Sequence, residues 1–112
     1  MKIVSEDLSL DELKRMAAVF GNLVKAVVDV DRELVGVDAE LSSDLEALLL
    51  DNGSKQKNLW GVNFYPEITG DDFIEFDSLI NIRPSAANRS RGVENGEIRK
   101  KIMSIAAKMV IR

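Results

Sequence analysis

The sequence predicts an α+β fold. It reads as a single domain, residues 1–112, built on a mostly antiparallel sheet of five or six short strands. Two helices, about residues 10–20 and 96–110, pack on one face of that sheet. Three observations carry this reading. Apolar residues recur at helical spacing near both ends, as Leu10, Leu13, Ala17 and Phe20 and as Ile98, Ile102, Ile105 and Met109. Between them run short apolar stretches with alternating faces, separated by turn residues. The length of 112 residues, 46% of them apolar, supports one domain with a modest core.

Taken in order, Lys2–Ser5 is a short β-prone start. Ser9-Leu10-Asp11-Glu12 is a capping box, in which Ser9 accepts from the Glu12 N–H and Glu12 reaches back. Leu8 and Leu13 form the hydrophobic staple, and Gly21 supplies the stop. Leu23–Val30 is a strand with Val24, Ala26, Val28 and Val30 on one face and Lys25 and Asp29 on the other. Asp31-Arg32-Glu33 turns the chain, and Leu34–Val37 returns as the second arm of a hairpin. Leu45–Leu50 is apolar and β-like, and Asp51-Asn52-Gly53 is a turn. Ser54 caps one tight turn through Asn58. Leu59–Tyr65 is a strand with Trp60, Val62 and Phe64 toward the core, and Pro66–Asp72 is a polar loop. Asn95 and Glu97 open the last helix.

The stretch Ile74–Arg91 reads as a strand running into a polar loop. Alternation places Ile74, Phe76, Ser78, Ile80 and Ile82 on the core face, and Glu75, Asp77, Leu79, Asn81 and Arg83 on the other. Pro84 ends the pairing. Ser85, Asn88, Arg89, Ser90, Arg91 and Gly92 follow. Asn, Ser and Gly adopt turns that aim backbone N–H groups at one spot, and Arg offers a planar fork of donors to phosphate or carboxylate. The anion-binding set is therefore Asn81, Arg83, Ser85, Asn88, Arg89, Ser90 and Arg91. On this reading Arg89→Ala weakens anion binding with little loss of stability. The bland alternative is a solvated connection whose arginines pair with the chain's own carboxylates.

Composition excludes several chemistries. There is no cysteine, so there are no disulfides, thiolate nucleophiles or Cys-ligated metals; there is no histidine, the usual general base. The net charge of −4 hides a split: residues 1–82 hold 17 acids and 7 bases, residues 83–112 hold 2 acids and 8 bases. The basic segment calls for an anionic partner, folds over the acidic remainder, or docks on a second copy. No run is long enough to span a bilayer and no secretory leader is present, so a cytoplasmic protein with no membrane partner is expected.

The acidic segment Asp38–Glu46, with Asp29 and Asp31, raises a hard-cation site. Asp29, Asp31, Glu33 and Glu40 fall at positions one, three, five and twelve of a calcium loop. Leu34 occupies the required glycine position, so that motif fails. Asp29, Glu40 and Asp44 remain the candidates for an irregular divalent metal site; no other cofactor is expected.

EALLLDNGSKQKNLWG, LINIRPSAANRS and EIRKKI resemble a small prokaryotic family of unknown function across nearly the whole chain. The resemblance implies a single cytoplasmic domain and transfers no catalytic role. Relatives carry a histidine where this chain has Ser42, beside Glu40 and Asp44, so a histidine-based role there is not carried over.

Three functions are weighed. The first is binding of a phosphate-bearing ligand, a nucleotide or a single-stranded RNA end, through the Arg83–Arg91 loop; the Walker and dinucleotide fingerprints are absent. The second is an enzyme of metal-assisted phosphoryl transfer or hydrolysis, with Glu75 and Asp77 as catalytic carboxylates. The third is an interaction module or homodimer.

Overall fold

The capping box opens the first helix where the sequence places it. In the computed structural model, which describes residues 1–112, helix α1 spans Leu10–Phe20, and the Ser9 hydroxyl accepts from the Glu12 N–H at 3.1 Å. The reciprocal half of the box is not made; the Glu12 carboxylate accepts instead from Lys2 Nζ at 2.7 Å. Gly21, at φ +103°, turns the chain out of the helix where a side chain would be strained.

Five strands form the main sheet: β1 Lys2–Val4, β3 Val24–Asp29, β4 Leu34–Val37, β5 Leu59–Phe64 and β6 Ile74–Glu75. Their order is β1-β4-β3-β5-β6, and every pairing is antiparallel. A separate parallel pair joins β2, Leu8–Ser9, to β7, Val110–Ile111, tying the end of the last helix to the start of the first. That last helix, α3, spans Gly96–Met109, and Asn95 Oδ1 accepts from the N–H groups of Glu97 and Ile98. No helix is long and apolar enough to cross a membrane.

The pleat sorts the strands into two faces. On one, Val24, Ala26, Val28, Val35, Val37, Trp60, Val62 and Phe64 meet Leu13, Met16 and Ala17 of α1 and Ile102, Ile105, Ala106 and Met109 of α3. This is the expected core, with both expected helices on it. The other face carries a third helix, α2, Ser42–Asp51, absent from the expected architecture. Leu45 and Leu49 of α2 bury against Val27 and Leu59. The apolar run Leu45–Leu50 is thus helical, not β-like: only every fourth residue is buried, while Leu50 is exposed. Leu45 and Leu49 lie over Gly36, where an added Cβ would meet them at ordinary contact distances of 3.5–3.7 Å.

The second correction concerns residues 74–83. The strand stops at Glu75, and Leu79–Asn81 forms a 3-10 turn. Alternation therefore fails: Asn81 is fully buried, whereas Leu79 and Ile82 are exposed. Ser78 causes the break, because its carbonyl accepts from the Asn81 N–H at 3.1 Å and its hydroxyl from the Ile80 N–H at 3.4 Å. Ser54 caps no turn; its hydroxyl donates to Asp29 at 2.6 Å.

Candidate functional site

Beyond the N-terminal end of α2 the same sheet face turns polar. Register sets Lys25 of β3 opposite Asn63 of β5, and Asn63 opposite Glu75 of β6, so the three side chains form one row. Asn63 Nδ2 donates to Glu75 Oε1 at 2.9 Å and to the Asp77 carbonyl at 3.3 Å. Both amide hydrogens are then spent, and Oδ1 is left buried with no partner. Lys25, its cross-strand neighbour, forms no ion pair. The Tyr65 hydroxyl donates to the same Glu75 oxygen at 2.9 Å; burial, then that carboxylate, raises its pKa above the ordinary phenol value. Asp77 accepts from Arg91 Nε at 2.6 Å.

This row borders a cleft of about 200 Å³, lined by Lys25, Ser42, Ser43, Ser78 and Arg91 with Leu41, Leu79 and Ile80. Helix α2 begins here on Leu41, which provides no capping side chain. The helix start is the positive end of its dipole. One cleft thus gathers two cations, three hydroxyls and an uncapped helix start.

Arg91 and Ser78 are placed by an asparagine. Asn81 Oδ1 accepts from the Gly61 N–H at 2.8 Å, and its Nδ2 donates to the Gly61 and Arg91 carbonyls, each at 2.9 Å. The carboxamide takes the place of a strand beside β5 where β6 has ended. The Ser78 N–H also donates to the Arg91 carbonyl, at 2.9 Å. Gly61 makes room, since a Cβ there would lie 2.5 Å from Ser78 Cβ and Oγ.

The residues proposed from sequence separate into groups. Asn81 and Asn88 are buried, and their amides hold backbone: Asn88 Nδ2 donates to the carbonyls of Asn81, Ser90 and Gly92, and its Oδ1 accepts from the Glu94 N–H. Arg83 lies over the Trp60 ring, 4.2 Å from its centroid, and donates to the carbonyls of Gln56 and Leu59. Burial lowers its pKa, with Glu46 opposing. Arg91 pairs with Asp77, so Arg83 and Arg91 are held by different partners. Ser85, Arg89 and Ser90 are exposed. The N–H groups of Arg89 and Ser90 do converge on an anion, and it is the chain's own Glu94 carboxylate, at 2.6 and 2.9 Å. Those two donors hold Glu94 below the usual carboxylate range.

The metal and catalytic candidates also part. Asp29 is fully buried and accepts from the N–H groups of Asp31 and Arg32 and from Ser54, at the opposite end of α2 from exposed Asp44. No three acids come together to hold a metal. Asn63 joins the Glu75 carboxylate to the Asp77 backbone carbonyl, while the Asp77 carboxylate is taken by Arg91, so the two carboxylates are not linked to each other. Sequence reasoning missed Lys25, Asn63, Ser42, Ser43 and Ser78. The available signal was a lysine and an asparagine interrupting apolar strands on one face.

No curated protein and no solved structure matches the chain. A family model does, over residues 2–109, nearly its whole length; its description is that of a protein of unknown function, DUF5674. The chain belongs to the DUF5674 family.

Proposed function

We propose that the protein binds a phosphate-bearing ligand in the cleft between α2 and Arg91. Lys25 and Arg91 supply the charge. Ser42, Ser43 and Ser78 supply hydroxyl donors, and the start of α2 supplies its dipole. The observation that carries this reading is the placing of Lys25, which forms no ion pair, beside Arg91 at an uncapped helix start. The Arg91–Asp77 pair is no obstacle. Its side chains are 54% and 42% exposed, and ion pairs in water contribute little, so phosphate oxygens replace the carboxylate at small cost. Of the loop residues named from sequence, Arg91 is the one that lines this cleft.

Calorimetric titration with inorganic phosphate at low ionic strength tests the reading. Lys25→Ala and Arg91→Ala each weaken binding about tenfold, the scale of one charge-assisted contact. Arg89→Ala leaves it within about twofold, because a solvent-screened charge outside the cleft adds little. Equal binding by the wild type and both cleft variants would overturn the assignment.

A further inference from the structure

The anion cleft does not end at Lys25. The same lysine lines a second recess, of about 470 Å³, whose walls are Val19, Phe20, Leu23, Ala39 and Glu40. Leu41, the next residue after Glu40, lines the anion cleft, so the two hollows share a wall. Val19 is 72% exposed and Phe20 39%, although α1 buries Leu13, Met16 and Ala17 in the core. Large apolar groups left facing a concave recess of this size are the ordinary lining of a small-molecule site. Resting on the anion-binding reading, we infer that the ligand is a nucleoside monophosphate carrying an amino-bearing base, its phosphate between Lys25 and Arg91 and its base against Phe20.

Each part follows from the chemistry of the walls. Lys25 stands where the two hollows join, so one bound molecule spans both with its charge on that side. Phe20 offers a flat π-face, which favours a ring over an alkyl chain. Glu40 carries a carboxylate, which accepts and does not donate when ionised; set against the 6-position of a purine it accepts from an exocyclic amine and repels a carbonyl. The acidic remainder of the surface disfavours a long polyanion.

Titrations with inorganic phosphate, AMP, IMP and hexyl phosphate separate the outcomes. AMP is expected to bind at least about tenfold more tightly than phosphate or hexyl phosphate, in line with one base stacked on an aromatic ring. Phe20→Ser and Val19→Ser remove that advantage and leave phosphate binding unchanged. Glu40→Gln removes the preference for AMP over IMP. Two variants on one wall keep the result readable should either fold poorly. If AMP binds no better than phosphate, or hexyl phosphate equals AMP, the inference is overturned while the anion cleft stands. If phosphate itself fails to bind, the anion reading falls, and this inference with it.

Discussion

Asn81 does with one side chain what a neighbouring strand does with its backbone. Replacing it by Ala leaves the Gly61 N–H and C=O without their partner inside the fold. At about 1–3 kcal/mol for each buried group left unpaired, the loss is about 2–6 kcal/mol, read from urea denaturation midpoints. Asn81→Asp behaves no better, since a carboxylate cannot donate to the Gly61 and Arg91 carbonyls. Arg83 is a brace of a similar kind. Arg83→Lys loses the fork that reaches two carbonyls while lying flat on Trp60; it costs about 1–2 kcal/mol and leaves phosphate affinity unchanged. Glu94 sets an acid limit on the loop. Its folded pKa lies below the unfolded value, so its contribution is present above about pH 4.3 and is lost as pH falls through the folded value. Protection of the Arg89 and Ser90 amides against exchange, relative to their intrinsic rates, falls over that range in the wild type and is already low at neutral pH in Glu94→Gln. The segment Asn81–Ser90 was legible as special, with pairing to the chain's own carboxylates as the alternative, but the buried bracing by Asn81 and Asn88 was not. Asn, Ser and Arg bring the same donors to a ligand and to a backbone carbonyl, and sequence alone does not say which takes them.

Among elements, α1, α3 and the β3–β4 hairpin were legible because each carries its own stop signals and a single clean period. Helix α2 was not. Leu48, Leu49 and Leu50 are consecutive, and its start has no capping side chain. The anion cleft was hidden with it, since the cleft exists only where α2 begins. Residues 74–83 misled in the opposite sense: alternation was present, but the Ser78 hydrogen bonds bent the chain into a 3-10 turn. Gly61 of β5 packs against this turn. Gly61→Ala forces Ser78 away from a 2.5 Å overlap, costing about 1–3 kcal/mol as overpacking does. The same shift moves the Ser78 hydroxyl in the cleft, so phosphate affinity falls together with the melting temperature. Ala at Gly36, where 3.5 Å contacts are ordinary, changes stability without changing affinity.

Over the whole molecule, the division into an acidic first part and a basic last part is partly closed within one chain. Lys108 pairs with Glu33 and Arg91 with Asp77, the fold-over arrangement that was one of three the charge split left open. The exposed ends of these pairs leave them weak, and raised salt is expected to shift the melting temperature only slightly. What the fold adds is position: the sheet carries α2 on one face and both other helices on the opposite one, and leaves a polar row uncovered where α2 starts. The most direct measurement is amide chemical-shift mapping during titration with inorganic phosphate at low ionic strength. Saturable shifts at Lys25, Ser42, Ser43, Ser78 and Arg91, abolished in Lys25→Ala/Arg91→Ala, are the predicted result. Shifts confined to residues 85–89, or none in the wild type, would contradict it.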